Sequence, residues 1–148
     1  MSFTSLKYHI VFSTKGRKES MDGDFRLRLY EYLGGIVKNV GGCLIAANGP
    51  ANHIHLAAEV GPQVALVDFV RDIKANSSKW VHETFGEKGD FGWQDGYSAF
   101  TVSASGLSQL VKYIENQEEH HRMMSFQDEL AALLQRHNIK FDERYMLG

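Results

Sequence analysis

The stretch HIHLAAEV, residues 53–60, alternates polar and apolar side chains in the way that a half-buried β-strand requires. Successive side chains of a strand project to opposite faces, so His53 and His55 share one face while Ile54 and Leu56 share the other. The face with Ile54 and Leu56 is therefore predicted to pack in the core. The face with His53 and His55 is predicted to form a site, because two neighbouring imidazoles can bind one cation. Such a pair taken alone more often makes only hydrogen bonds.

The segments on either side of this strand predict an alternation of strands and helices. Period-2 patterns mark the strands, apolar residues at helical spacing mark the helices, and glycine-rich turns separate them. The predicted elements are a strand at 6–14, a helix at 24–40, strands at 43–47 and 53–60, a helix at 66–85 and a strand at 97–104. This order predicts an α+β, ferredoxin-like (RRM-like) split βαβ fold: a four-stranded antiparallel sheet with two helices on one face and the other face open.

A further helix, predicted over 107–122, carries polar residues apart from its apolar stripe. Tyr113 and Gln117 are four residues apart and so share a helix face, and His120 follows on the same face. If this face packs over the histidines, the Gln117 amide oxygen supplies a third metal ligand and Tyr113 reaches a substrate atom. Two imidazoles and one amide leave coordination positions vacant, as a catalytic metal site requires.

The chain length and composition indicate one folded domain. The 148 residues, 43% hydrophobic and 23% charged, suffice for a single core, so we expect one domain over 1–148 with a C-terminal helical tail at 125–148. The tail helix is predicted over 126–137, and Ser125 and Asp128 form a capping-box-like start.

The charge and the apolar runs limit the classes of function. A net charge of −2 argues mildly against a protein that coats nucleic acid by bulk electrostatics. No run of residues is long and apolar enough for a membrane span, the first residues lack a signal-peptide pattern, and the lone Cys43 forms no intrachain bridge. We therefore expect a cytoplasmic protein without a membrane partner.

Several longer motifs occur in a fixed order along the chain. They are Tyr8-His9-Ile10-Val11-Phe12-Ser13-Thr14-Lys15, His53-Ile54-His55, Asp72-Ile73-Lys74-Ala75-Asn76-Ser77-Ser78-Lys79-Trp80, Trp93-Gln94-Asp95-Gly96-Tyr97, and Tyr113-Ile114-Glu115-Asn116-Gln117 followed by His120-His121. This set resembles the single-tyrosine transposases of the HUH endonuclease superfamily, of the insertion-sequence or REP-associated tyrosine transposase type. The resemblance covers nearly the whole chain, and the segment 126–145 is similar to the tail of one subgroup. Asn52 stands where relatives often carry aspartate.

The resemblance implies a DNA transposase that cleaves and rejoins single-stranded DNA at hairpin-marked element ends. It implies a divalent metal, Mg²⁺ or Mn²⁺, bound by His53, His55 and Gln117, and a 5′-phosphotyrosine on Tyr113. A phenol with a reference pKa of about 10 is protonated at neutral pH, so Tyr113 needs help from the cation to attack phosphorus. Relatives assemble their active sites across a homodimer, and whether Tyr113 acts in its own subunit or the partner's stays open.

Candidate DNA-binding residues lie outside the metal motif. Those that suit phosphate contacts are Lys15, Arg17, Lys74, Asn76 and Lys79, although ordinary solvated surface explains each of them nearly as well. Trp93 and Tyr97 either stack a base or close a loop.

Two alternatives to an active transposase remain. One is a domesticated host protein that binds or nicks repeated hairpins. The other is a nonenzymatic single-stranded nucleic-acid binder that uses Tyr8, Phe12 and Tyr97 on the open sheet as stacking aromatics.

Overall fold

The computed structural model describes residues 1–145 and places four strands in one antiparallel sheet within that range. The elements are β1 (Lys7–Ser13), α1 (Gly23–Asn39), β2 (Gly42–Asn48), β3 (His53–Val60), α2 (Leu66–Thr84), β4 (Ser98–Val102), α3 (Leu107–Glu115), α4 (Gln117–His120) and α5 (Phe126–Arg136). Positions 146–148 of the predicted tail lie outside the described residues. None of the helices described is long and apolar enough to cross a membrane.

The sheet has the strand order β2-β3-β1-β4, with both central strands antiparallel to their neighbours. Together with the two long helices this confirms the predicted split βαβ fold. In the register of β1 with β3, Val11 lies opposite His55 and Ser13 lies opposite His53. The histidine pair therefore lies at the centre of the sheet rather than at an edge.

One face of the sheet, which we call the core face, packs against α1 and α2. Its buried apolar side chains alternate along the central strands as the sequence pattern predicts. They are Ile10, Phe12, Ile54, Leu56, Ala58 and Val60 from the sheet, and Leu29, Leu33, Val37, Phe69, Val70, Ile73 and Val81 from the helices. This packing is the main hydrophobic core among the described residues.

The opposite face, which we call the site face, carries His9, Val11, His53, His55 and Phe100. The expectation that it is open is wrong, because α5 lies across it. The α5 side chains that bury this face are Phe126, Leu130, Leu133 and Leu134, which cluster with Val11 and Phe100. These four positions follow helical spacing, so α5 has an apolar stripe that is removed from water only by covering the sheet. Ser125 caps α5 as expected, accepting a hydrogen bond from the Asp128 backbone N–H at 3.2 Å.

The helix predicted over 107–122 is interrupted at Asn116, so that prediction is wrong in its length. The interruption has a partner in β2: the Asn48 side-chain Nδ2 donates to the backbone oxygens of Ile114 at 3.0 Å and Glu115 at 3.2 Å. These bonds satisfy carbonyls that a continuing helix would otherwise bond four residues later. A second short helix, α4, begins at Gln117.

The turn between β2 and β3 sets the position of His53. A Cβ added to Gly49 would lie 2.2 Å from the backbone oxygen of His53, which is closer than atoms can pack. The Gly49 carbonyl also accepts a hydrogen bond from the Tyr30 hydroxyl at 3.1 Å, which ties the turn to α1. Only glycine therefore permits this close approach at the start of β3.

Candidate active site

His53 and His55 project from β3 into a buried cluster on the site face. Both side chains are fully buried, and their Nε2 atoms lie 3.2 and 3.0 Å from Oε1 of Glu129 on α5. The two imidazoles therefore converge on one point, as the alternation of the strand predicts.

The outer nitrogen of each imidazole has its own partner. Nδ1 of His53 lies 2.8 Å from Oδ1 of Asn52, an oxygen that only accepts, so this nitrogen carries the hydrogen and Nε2 presents a lone pair. Nδ1 of His55 lies 2.8 Å from Nε2 of His9, and the two rings stack with centroids 5.1 Å apart. Partners of this kind orient metal-binding histidines and fix their tautomers. His9 is therefore part of the site, although sequence reasoning assigned it no role.

Burial keeps these imidazoles neutral. It lowers the pKa of His53 to about 4 and, together with the nearby His55, lowers the pKa of His9 to about 3. Burial also lowers the pKa of His55. Neutral imidazole is the form that binds a metal ion, so the donor chemistry fits a divalent cation at neutral pH.

Tyr113 of α3 reaches the same cluster from its own chain. Its hydroxyl donates a hydrogen bond to Oε2 of Glu129, and its ring centroid lies 5.7 Å from that of His55. Burial, and then the hydrogen bond to the Glu129 carboxylate, raise the pKa of Tyr113. The phenol is consequently protonated at neutral pH, and it carries its proton toward a carboxylate.

Gln117, the first residue of α4, is fully buried beside Tyr113. Its Nε2 donates to Oε2 of Glu129 at 3.1 Å, while its Oε1 has no hydrogen-bond partner among residues 1–145. A buried carbonyl oxygen without a partner costs free energy, and a cation would remove that cost. The orphaned oxygen therefore fits the role of a metal ligand that the sequence predicts for Gln117.

Glu129 lies at the centre of the cluster, and sequence reasoning missed it. Its side chain is 2% exposed and also accepts a hydrogen bond from His121 Nε2 at 2.8 Å. Burial, the largest single effect, would raise the pKa of this carboxyl, but the surrounding imidazoles of His121, His53 and His55 outweigh burial and hold the pKa well below its usual range. One signal was available: position 129 falls within the apolar stripe of α5, where a carboxylate needs partners.

His121 joins the donor set, and His120 lies at its border. One ligand atom from each of His53, His55, His121 and Glu129 lies within 4.8 Å of the others, so this buried group is able to hold a metal ion. His120 Nε2 lies 3.2 Å from Oε2 of Glu129 without the geometry of a hydrogen bond within the described part of the chain. Sequence reasoning left both histidines without a role.

Lys15 and Arg17 lie at the end of the sheet where the histidine pair begins. They belong to a short 3₁₀ helix, Lys15–Arg17, that follows β1, and the Thr14 N–H donates to the Asn52 oxygen at 3.0 Å. Lys15 is exposed and Arg17 is partly exposed. Both therefore border the site without contacting its centre.

The other candidate contacts lie elsewhere. Lys74 donates to the backbone oxygens of Gln94, at 2.9 Å, and Gly96, so it fastens the loop before β4. Asn76 and Lys79 are exposed on α2, which packs on the core face, so the structure does not bring them to the site. Tyr97 is partly buried against the main core.

Of the two expectations for Trp93, the structure favours the one in which it closes a loop. Its side chain is 9% exposed, its ring packs edge-on against Phe12 with centroids 4.9 Å apart, and its Nε1 donates to Ser77 Oγ at 2.9 Å. Phe12 is fully buried and offers no face to a nucleobase. The aromatics proposed for an open-sheet nucleic-acid binder are thus mostly part of the core.

A groove of about 340 Å³ leads to Tyr113 from the side of β4 and the end of α5. Its lining includes His9, Gln109, Tyr113, Arg136 and His137. The exposed guanidinium of Arg136 lies in this groove together with the half-buried phenol of Tyr113. This pairing suits the approach of a phosphate group.

Comparison with known protein families gives a match that spans most of the chain. The family described as "Transposase IS200 like" matches residues 2–117. This range includes the histidine pair, Tyr113 and Gln117, and it ends before His121 and Glu129.

Individual relatives agree with this match. The chain is 29% identical to the ISDra2 transposase TnpA of Deinococcus radiodurans over 119 residues, 77% of this chain and 85% of that protein. It is also 29% identical to the transposase for insertion sequence element IS200 of Salmonella typhimurium over 123 residues, 79% of this chain and 80% of that protein.

Two solved structures share the fold. A candidate transposase from Deinococcus radiodurans superposes with a TM-score of 0.65 at 27% identity, over 79% of this chain and 95% of that one. A REP-associated tyrosine transposase bound to a REP hairpin superposes with a TM-score of 0.60 at 13% identity, over 82% of this chain and 74% of that one. The second likeness concerns the fold alone.

Proposed function

Because the chain belongs to the IS200-like transposase family, we propose that it is a DNA transposase that cleaves and rejoins single-stranded DNA through Tyr113. The substrate is an element end marked by a hairpin, and the whole chain, 1–148, acts as one catalytic domain in the cytoplasm. The observation that carries the proposal is the convergence of Tyr113, Gln117 and the His53–His55 pair on one buried carboxylate, Glu129.

The proposal includes a divalent metal, Mg²⁺ or Mn²⁺, held by His53, His55 and Gln117. Two neutral imidazoles and one orphaned amide oxygen support this ligand set. When bound, the ion polarises the scissile phosphate and neutralises charge that develops in the transition state. Asn52 and His9 orient the two imidazoles through their outer nitrogens.

Tyr113 supplies the nucleophile. Its oxygen attacks the scissile phosphorus, a bond forms between the phenolic oxygen and the 5′-phosphate, and the bond from phosphorus to the 3′-oxygen breaks. The 3′-oxygen takes up a proton from water and leaves as a free 3′-hydroxyl. The phenol proton passes to a base, and Glu129 Oε2 is the acceptor that the hydroxyl already contacts. Attack by a new 3′-hydroxyl on the phosphotyrosine reverses the step and rejoins the strand.

The tyrosine of a chain serves the histidines of the same chain in this proposal. Support comes from α3, which crosses the site face and is fastened to β2 by Asn48, so that Tyr113 reaches His55 without a second subunit. A homodimer remains compatible with this arrangement. Exchange of tyrosine helices between its subunits is the alternative that the family resemblance implies.

Lys15 and Arg17 are the proposed phosphate contacts nearest the site, and the groove beside Tyr113 admits the strand past Arg136. Asn76, Lys79 and Tyr97 would serve only a strand that continues onto the outer surface, and Lys74 acts through the loop that it fastens.

The test uses single-stranded oligonucleotides that carry the hairpin-marked element ends, with Mg²⁺ or Mn²⁺ added. We expect the protein to form a covalent DNA adduct and Tyr113→Phe to bind the hairpin without forming one. Tyr32→Phe, a matched loss of one hydroxyl on an exposed helix position, should react normally. Cleavage that survives in Tyr113→Phe, or no adduct with either metal on cognate ends, would contradict the proposal.

A further inference from the structure

We propose that the metal centre has a closed form, in which His53, His55, His121 and Glu129 bind a zinc ion and hold α5 over Tyr113. This form is a regulatory state of the proposed active site and rests on that function, since it matters only where Tyr113 reacts. It differs from the reactive ligand set in three residues: His121 and Glu129 take part, and Gln117 does not.

The spacing of the donor atoms supports a four-ligand site. Atoms bound to one zinc ion at about 2.0–2.2 Å in a tetrahedron lie about 3.4 Å from one another. Glu129 Oε1 lies 3.2, 3.0 and 2.8 Å from Nε2 of His53, His55 and His121, and the Nε2 atoms of His53 and His121 are 3.1 Å apart. The side chains therefore need only small movements to surround an ion.

The chemistry of the donors favours zinc over the harder ions. Imidazole nitrogen and carboxylate oxygen are both zinc ligands, and four of them with no vacant position give the coordination number of a structural zinc site. Magnesium prefers six oxygen ligands and keeps several waters, so it does not suit a set of three imidazoles and one carboxylate. In this proposal, His53 and His55 bind two different metals, each with a different set of additional ligands.

Coordination by Glu129 would fasten α5 to the sheet. Phe126 of α5 already stacks on the His53 ring, with centroids 4.1 Å apart and an angle of 22°. Glu129 Oε2 meanwhile accepts a hydrogen bond from the Tyr113 hydroxyl, so the hydroxyl is turned toward α5. A phosphate reaches the metal only after Glu129 has left it, which leaves Gln117 Oε1 to take its place.

The first test measures Zn²⁺ binding by calorimetry on the full-length chain. We expect Glu129→Gln and His121→Ala each to weaken zinc binding at least 10-fold. Gln117→Ala should change it by less than about 2-fold, and so should Asp128→Asn, which removes an exposed carboxylate from the same helix. Equal zinc affinity in the wild-type chain, Glu129→Gln and His121→Ala would overturn the proposal.

A second test needs no variant at the site. In the wild-type chain, Zn²⁺ should slow amide hydrogen exchange across 126–136 by at least 10-fold, while exchange in α1 stays unchanged. Co²⁺ in place of zinc should give the strong visible absorption of a four-coordinate ion. Unchanged exchange in α5 on zinc addition, or the weak absorption of a six-coordinate cobalt ion, would overturn the closed form.

The two proposals fail separately. If zinc binds without Glu129 while the Tyr113 adduct forms with Mn²⁺, only the closed form is lost. If no adduct forms in any variant while zinc still protects α5, the zinc site stands and the transposition chemistry is lost.

Discussion

The two faces of the sheet bury their side chains by different means. On the core face, α1 and α2 cover Ile10, Phe12, Ile54 and Leu56, which are all fully buried and apolar. On the site face, α5 covers buried imidazoles with a stripe of apolar residues that stay 6–8% exposed and with one carboxylate. The core face is held mainly by apolar packing, whereas the site face combines apolar packing with hydrogen bonds that a cation can replace. The fold is therefore stabilised on one face and left adjustable on the other.

The largest effect should come from breaking the core face. Phe69→Ala removes a fully buried aromatic side chain beneath α2 and should lower the free energy of unfolding by about 3–5 kcal/mol, because the cavity does not close. Urea unfolding followed by tryptophan fluorescence measures this change.

Leu130→Ala on α5 provides the matched comparison on the site face. The loss cannot exceed the free energy with which the short helix α5 docks on the sheet. We therefore expect Leu130→Ala to lower the free energy of unfolding by less than about 2 kcal/mol. An equal loss for both variants would mean that α5 is an integral part of the core, against the contrast between the faces.

A smaller effect is expected at His9, which contacts the outer nitrogen of His55. His9→Ala removes the group that orients His55 and should weaken binding of Mn²⁺ about 10- to 100-fold. His82→Ala, which removes an imidazole from α2 on the core face, should leave metal affinity unchanged. Calorimetry distinguishes the two, and unaltered Mn²⁺ affinity in His9→Ala would remove His9 from the site.

The connection between β2 and the tyrosine helix should contribute less again. Asn48→Ala removes two hydrogen bonds to carbonyls at the end of α3 and should destabilise the protein by about 1–2 kcal/mol. Thermal unfolding measures the loss, with the exposed Asn76→Ala as the neutral control. If Asn48→Ala unfolds like the control, the interruption at Asn116 has another cause.

The smallest predicted effect is on DNA binding, and it should distinguish Lys15, near the site, from Lys79 on α2. Lys15→Ala should reduce the slope of log affinity for single-stranded DNA against log salt concentration by about 0.7, the value for one phosphate contact. Lys79→Ala, on α2, should leave the slope unchanged. A filter-binding titration at several salt concentrations decides this, and the reverse ranking would move the DNA path to the outer helices.

The core face and half of the site follow from local patterns in the sequence. The period of two along 53–60 separates His53 and His55 from Ile54 and Leu56, and the spacing of four places Gln117 beside Tyr113. Both signals depend on neighbours within one element, so a single sequence suffices to find them.

The remaining features depend on contacts between distant elements. The end of α3 at Glu115 depends on Asn48, 66 residues before the first carbonyl that it binds, and no helix pattern records that partner. The covering of the site face by α5 depends on where the tail packs, which periodicity leaves undetermined. Glu129 was recognisable only as a carboxylate within an apolar stripe.

The central claim is that one chain supplies both the histidine pair and the tyrosine of a single active site. The most direct measurement mixes a His53→Ala, His55→Ala double variant with Tyr113→Phe, adds element-end DNA and Mn²⁺, and identifies any DNA-linked peptide by mass spectrometry. We predict that the wild-type chain gives DNA linked to Tyr113 and that the mixture gives no adduct, because neither chain is complete. An adduct on Tyr113 of the double variant would contradict the claim, since the partner's histidines would then have served it.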